Sequence, residues 1–141
     1  LFEMGAQFGS QNDDTPGGGA IDGDVYGVFG SVNISDFTLM LAYNDVSGTV
    51  TNGFGGGPFF TSSDDHTVAE VEDQEAVAIN IEYGGIENFT FGIFDADFRK
   101  GEDETHYYST FQATENLSFE LIHVDMRQDG NNTRLMANLS F

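Results

Sequence analysis

Acidic side chains are concentrated in the second half of a glycine-rich segment that runs from residue 48 to residue 74. The candidate functional residues of this segment are Asp64, Asp65, His66, Glu70, Glu72 and Asp73. Carboxylates at this density create a negative electrostatic potential, which attracts cations and repels anions. A histidine beside two aspartates has the chemistry of a titrating group or a metal ligand, but a solvated surface histidine is the commoner case. The segment therefore predicts attraction of cations and no metal site.

The sequence contains no recognisable catalytic motif. The sequence contains no G-x-S-x-G, no phosphate-binding glycine loop and no H-E-x-x-H. His106 and His123 have neither a nucleophile nor a second histidine close by. Acid pairs for hydrolysis could be drawn at will from 24 carboxylates, so such a pairing has little value. We therefore expect no enzymatic activity and no cofactor.

Two oxygen-rich stretches resemble calcium loops by composition, Asp22-Gly23-Asp24 and residues 129–132. Neither has the spacing of a D-x-[DN]-x-[DN]-G loop with its later glutamate. Asp, Asn and Gly are also the residues that tight turns require. We therefore interpret both stretches as turns.

The charge balance excludes one large class of partners. The chain has 24 acidic and 4 basic side chains, which gives a formal net charge of −20. A nucleic-acid backbone is bound by Lys and Arg, so nucleic acid is excluded, and an anionic membrane surface is disfavoured for the same reason. The absence of cysteine excludes disulfides and thiolate metal sites.

The elements that must position these groups are β-strands. Eighteen glycines, 14 phenylalanines and an aromatic content of 13% argue against a helical bundle and against disorder. No apolar run reaches the ~18 residues of a membrane-spanning helix. Eight segments instead alternate apolar with small or polar residues, and six of them are close to the ~9–11 residues of a membrane-crossing strand. These segments are residues 1–9, 24–34, 37–44, 76–83, 89–93, 105–113, 117–121 and 134–141, and the phase of residues 122–126 is ambiguous.

Short and long connections alternate along the chain. The short ones lie around Ser35-Asp36, Glu87-Asn88 and Glu115-Asn116, whereas the long ones, residues 12–23, 48–74, 100–103 and 128–131, hold most of the glycines and many acids. One end of the predicted sheet is thus tight and the other carries acidic loops. The segment 48–74 is too long for an idle connection. It either folds into a barrel and narrows it or stays outside in solvent.

The fold class that combines these features is an antiparallel, up-and-down transmembrane β-barrel. Alternating strands also build soluble sandwiches, but one-sided loop lengths and a terminal phenylalanine are typical of membrane barrels. The face opposite the apolar one is then the lumen, and its predicted charged residues are Glu3, Glu82, Glu120 and Arg134. A closed eight-stranded barrel is filled by side chains, so this excess of carboxylates would be buried there without enough basic partners. In a wide, water-filled lumen the carboxylates stay hydrated and need no such partners.

Two segments carry a resemblance to a known family. The stretch GGPFFTSSDDHTVAEVEDQEAVAINIEY at 56–83 and the end RLMANLSF at 134–141 resemble the C-terminal part of OprD-like outer-membrane porins, in particular the major porins of epsilonproteobacteria. The resemblance implies a larger barrel of roughly 16–18 strands, of which this chain is the last eight. It also implies diffusion of solutes across the bacterial outer membrane. The lack of Trp and the few interior arginines depart from the family and put a basic substrate-guiding track in doubt.

The sequence thus predicts one β-barrel segment over residues 1–141, with 48–74 as a long loop that either constricts the pore or stays in solvent. We expect a passive, cation-preferring channel for small hydrophilic solutes and ions, with the lipid bilayer as partner and a homotrimer as assembly. Since residue 1 is Leu and no signal peptide opens the chain, we expect a mature protein or a fragment. Two alternatives stay open. They are a complete eight-stranded barrel with a structural or adhesive role, and a soluble acidic β-sheet protein that binds sugar or calcium.

Overall fold

The computed structural model describes residues 1–13, 21–51, 59–63, 66–127 and 130–140 of the 141-residue chain. Eight strands follow one another: β1 (Phe2–Asp13), β2 (Ile21–Ile34), β3 (Phe37–Gly48), β4 (Glu75–Ile86), β5 (Phe89–Phe98), β6 (Glu104–Thr114), β7 (Leu117–Met126) and β8 (Gly130–Leu139). In the described part of the connection between β3 and β4, residues Val68–Glu70 form a 3-10 turn. In the described part of the chain, no helix has the length and apolar character needed to cross a membrane.

The strands form one antiparallel sheet in chain order, each paired with the next. This confirms the all-β, up-and-down arrangement of eight strands. Among the described residues no ladder joins β1 to β8, so the sheet is open and has two edges. A complete eight-stranded barrel would need that ladder, because closure is what removes the edges of a sheet.

The register places the alternating apolar residues of every strand on one side of the sheet, here called the apolar face. Leu39, for example, lies opposite Ile81, which in turn lies opposite Ile93. The side chains of this face are exposed even when they are large, as for Phe8 at 66% and Leu135 at 72%. The period-two pattern in the sequence therefore located this face correctly on all eight strands.

The opposite side, here called the polar face, carries the buried core of the molecule. Small residues line its centre, with Ala42 opposite Ala78 and Ala78 opposite Ala96. Part of the long connection between β3 and β4 covers them, and Phe59 and Val68 from that connection belong to the same core cluster. The main hydrophobic core thus lies between the sheet and its own loop, on the side opposite to the apolar stripes.

The three short connections are turns at the predicted positions, Ser35-Asp36, Glu87-Asn88 and Glu115-Asn116. At the other end the strands run further than their apolar stretches, since β1 continues to Asp13 and β2 begins at Ile21. The predicted loop over 12–23 is therefore too long. The backbone ladder continues although the side chains have become polar. The ambiguous phase of 122–126 is also settled, because Ile122 pairs with Tyr108 on the polar face.

Candidate functional site

The connection between β3 and β4 lies on the polar face. Its described parts that contact this face, residues 59–63 and 66–74, are here called the docked segment. Above β1, the backbone N–H of Phe60 donates to Oε1 of Gln7 at 3.2 Å. Above β2, the rings of Phe60 and Phe29 are 4.7 Å apart between centroids. The segment therefore crosses the first strands of the sheet in direct contact with them.

Asn44 on β3 holds the middle of the docked segment. Its Oδ1 accepts hydrogen bonds from the backbone N–H of Thr61 at 3.0 Å and from the Thr61 hydroxyl at 3.1 Å. Its Nδ2 donates to the carbonyl oxygen of Tyr26 at 3.1 Å. A buried amide needs such partners, and Asn44 is fully buried. Gly27 makes room for it, because a Cβ at that position would lie 2.2 Å from Nδ2.

Glu104 at the start of β6 holds the far end of the docked segment. One of its carboxylate oxygens accepts hydrogen bonds from the Ser63 hydroxyl and from the backbone N–H of His66, the latter at 3.1 Å. The other oxygen contacts Nε2 of the His106 ring. Since the Glu104 side chain is completely buried, these contacts replace the water that a carboxylate would otherwise bind.

The base of the connection is closed by side chains near the ends of β1, β3 and β5. Gln11 accepts from the backbone N–H of Thr51 at 2.8 Å and donates to its carbonyl at 3.0 Å. Asp73 accepts from the N–H of Gly48 at 2.7 Å. The buried Gln74 accepts from the N–H of Lys100 at 2.8 Å. The connection is thus fixed at its base as well as along its length.

A cleft of about 320 Å³ lies between the docked segment and the strands β4 to β7. Its lining residues are Ser62, Ser63, Asn80, Phe94, His106, Tyr108, Glu120 and Ile122. The Tyr108 hydroxyl is 3.0 Å from Oδ1 of Asn80 and 3.1 Å from Oε2 of Glu82. Its ring packs over Gly92, where a Cβ would come within 2.0 Å of Cζ. The cleft therefore combines aromatic walls with carboxylate, amide and hydroxyl groups.

The predicted lumen residues Glu3, Glu82, Glu120 and Arg134 all lie on the polar face by register. Of these, Glu120 lines the cleft and Glu82 accepts a hydrogen bond from the hydroxyl of its lining residue Tyr108, whereas Glu3 lies on the edge strand β1. Within the 48–74 segment, His66 packs with its ring 6.3 Å from that of Phe98. The structure thus places one of the four predicted lumen groups in the cleft and a second beside it.

The other predicted residues of the 48–74 segment are more scattered. Glu72 and Asp73 are exposed at the base of the connection. Asp64, Asp65 and the side chain of Glu70 lie outside the described residues. Among the described residues no group of three His, Asp or Glu side chains is arranged to hold a metal ion.

Three residues that hold the docked segment were not singled out as candidates by the sequence: Gln7, Asn44 and Glu104. The available signal was their position, since Gln7 and Asn44 are polar residues at inward positions of strongly alternating strands. Comparison of the chain with protein-family models, curated proteins and solved structures gave no match. The resemblance to OprD-like porins therefore rests on the two sequence segments alone.

Proposed function

We propose that this chain is part of the wall of an outer-membrane porin, a passive channel that prefers cations. In this proposal the apolar face contacts lipid, the polar face lines a water-filled pore, and the docked segment narrows that pore. The observation that carries the proposal is a sheet with one continuous exposed apolar face, whose opposite, polar face holds a long loop. A soluble sheet would cover its apolar face, whereas lipid leaves it without protein partners.

The outline of the apolar face supports a lipid boundary. Near the loop end the last apolar residue is Phe8 on β1, Tyr43 on β3, Ile93 on β5 and Leu135 on β8, and the next outward residues are Ser10, Asp45, Asp95 and Thr133. The border does not follow one hydrogen-bonded row. It crosses these rows, because an apolar residue of one strand lies directly opposite an acidic residue of the next: Tyr26 lies opposite Asp45, and Ile79 lies opposite Asp95.

This oblique border has the slope of a tilted barrel. Relative to the hydrogen-bonded rows, the border moves by about one residue per strand from β1 to β8. With ~4.8 Å between neighbouring strands and a rise of ~3.4 Å per residue, this shift corresponds to a strand tilt of roughly 35°. Strands of transmembrane barrels are tilted by about 35–45°. A planar bilayer boundary cuts tilted strands at successive residues, so the observed stagger is what a flat lipid layer requires.

Aromatic side chains lie at both borders of the apolar face. Near the tight turns, the rings of Phe37 and Tyr83 are 4.9 Å apart and those of Phe89 and Phe111 are 4.6 Å apart. Near the loop end, Phe8 and Tyr26 form a pair at 5.1 Å. Aromatic girdles at both interfaces are a feature of outer-membrane barrels.

The open edges and the charges of the polar face complete the proposal. In a bilayer the unpaired backbone groups of β1 and β8 must find partners, so in a porin both edges pair with further strands of the barrel. On the polar face Glu3, Glu82 and Glu120 outnumber Arg134 among the predicted lumen groups. An acidic lumen of this kind favours cations.

The test is a planar-bilayer recording of the full-length protein in a salt gradient. We expect discrete conductance steps and a reversal potential of the sign that indicates cation permeation. An anion-selective reversal potential would contradict the charge assignment, and purified protein that stays monodisperse without detergent would contradict the membrane location.

A further inference from the structure

We propose that the cleft beside the docked segment is a binding site for small organic ammonium ions. The inference rests on the proposed function in one respect, because the polar face must be reached by solutes in water. It goes beyond that function in naming a site and the chemistry of its ligand: a primary ammonium group carried by a short apolar or aromatic body.

The charge of the cleft selects a cation. Glu120 is a half-buried carboxylate in its lining, and none of the described lining residues is Lys or Arg. A carboxylate that is partly removed from water is stabilised by a bound cation.

Most basic residues of the chain form ion pairs or hydrogen bonds at the loop end of the sheet. Arg99 pairs with Glu75, and Arg127 lies 2.5 Å from Asp103. Lys100 donates through Nζ to the carbonyl oxygen of Glu72 at 3.0 Å. Arg134 on β8 is exposed and borders the cleft, because it lies opposite the lining residue Ile122. The described lining itself offers a ligand carboxylate no Lys or Arg and one carboxylate, Glu120, which disfavours anionic solutes.

The walls select an organic rather than an inorganic cation. Phe94 packs at 5.4 Å against the His106 ring, and together with Tyr108 and Ile122 these residues offer apolar surface to the body of a ligand. Aromatic faces also attract cations directly. The Tyr108 hydroxyl is directed toward Asn80 and Glu82, so its ring is held in place before any ligand arrives.

The remaining lining groups suit the three N–H donors of an ammonium group. The carboxylate of Glu120, the amide oxygen of Asn80 and the hydroxyl of Ser62 or Ser63 all accept hydrogen bonds. At about 320 Å³ the cleft is at the lower end of the roughly 300–1,000 Å³ of ligand sites, which fits a small molecule.

The experiment is an isothermal titration of the full-length protein in detergent with benzylammonium chloride. Benzyl alcohol serves as the neutral ligand of the same shape, and sodium benzoate as the anionic one. We expect benzylammonium to bind about tenfold more tightly than benzyl alcohol, and benzoate to show no binding. Equal affinities for benzylammonium and benzyl alcohol, or preferred binding of benzoate, would overturn the proposal.

A matched pair of variants locates the site. Glu120→Gln is expected to weaken benzylammonium binding about tenfold, whereas Glu3→Gln, on the same face but on β1, is expected to leave it unchanged. Equal effects of the two changes would assign binding to general charge rather than to the cleft. The wild-type comparison of three ligands keeps the proposal testable if Glu120→Gln does not fold. Conductance without benzylammonium binding would overturn the site alone, and binding without conductance would overturn the porin proposal alone.

Discussion

Asn44 shows how much one inward-facing side chain contributes to the fold. Its amide links β3 to Thr61 in the docked segment and to the backbone of β2, and it is fully buried. Asn44→Ala leaves the N–H of Thr61 without its acceptor in a buried place, which costs about 1–3 kcal/mol. We expect a lower free energy of unfolding, measured by denaturant titration in detergent.

Asn33→Ala is the control for this prediction, because Asn33 lies on the same face but is exposed. Surface changes of that kind stay within about 0.5 kcal/mol. Equal losses for the two variants would show that Asn44 acts through its position in the strand and not through its contacts with the docked segment.

The sequence identified Asn44 only as a polar residue in an alternating strand. Its partner Thr61 follows 17 residues later in a segment without any period, so no pattern connects the two. The sequence pattern does not reveal the partners of Glu104 either, because a glutamate near an acidic loop tip suggests a solvated group. Its burial depends on Ser63 and His66, which reach it only after the sheet has formed.

At the scale of elements, the strands could be predicted and the docking of the long connection could not. Alternation and turn residues specify a strand through local physics, and they placed the apolar residues of all eight strands on one face. The ends of β1 and β2 at the loop end of the sheet were not predicted, because the backbone hydrogen bonds between the two strands continue after the apolar stretch ends. The docked segment has no repeating hydrophobic pattern, because separate side chains of the sheet each hold one part of its backbone.

Removal of Glu104 is expected to release the docked segment at its far end. Glu104→Ala deletes the acceptor of both Ser63 and the backbone N–H of His66, so these two residues lose their attachment to β6. We expect faster proteolytic cleavage within this segment and, in bilayers, a larger single-channel conductance. The strand content measured by circular dichroism is expected to stay the same, because the ladders do not involve this side chain.

Glu87→Ala is the matched control, since Glu87 is an exposed glutamate in a tight turn at the opposite end of the sheet. It is expected to change neither cleavage nor conductance. Unchanged cleavage in Glu104→Ala would show that the contacts of Asn44 and Gln7 alone hold the segment.

At the scale of the whole molecule, the border of the apolar face has a slope relative to the hydrogen-bonded rows that no single strand reveals. Each strand predicts its own apolar stretch, but the slope of the border appears only when the register aligns all eight. Under the proposed function, that slope is where a flat lipid boundary crosses tilted strands, whereas an apolar patch of another kind would follow the hydrogen-bonded rows. The open edges likewise become visible only at this scale.

The border can be tested on two residues that lie directly opposite each other, Ile79 on β4 and Asp95 on β5. Because the chain has no cysteine, Ile79→Cys and Asp95→Cys each give one labelling site for a nitroxide. In lipid vesicles, we expect the label at position 79 to collide with dissolved oxygen, which concentrates in the bilayer. The label at position 95 should collide with a water-soluble nickel complex instead, although the two positions share one row of the sheet.

Met40→Cys provides the reference for the other side of the sheet, because Met40 neighbours Leu41 on β3 but lies on the polar face. A label there is expected to be shielded from lipid, and one at Leu41→Cys to be exposed to it. If positions 79 and 95 report the same environment, the border follows the hydrogen-bonded rows and the tilted arrangement is wrong. If positions 40 and 41 report the same environment, the apolar face does not contact lipid, and the exposed side chains must meet another protein surface.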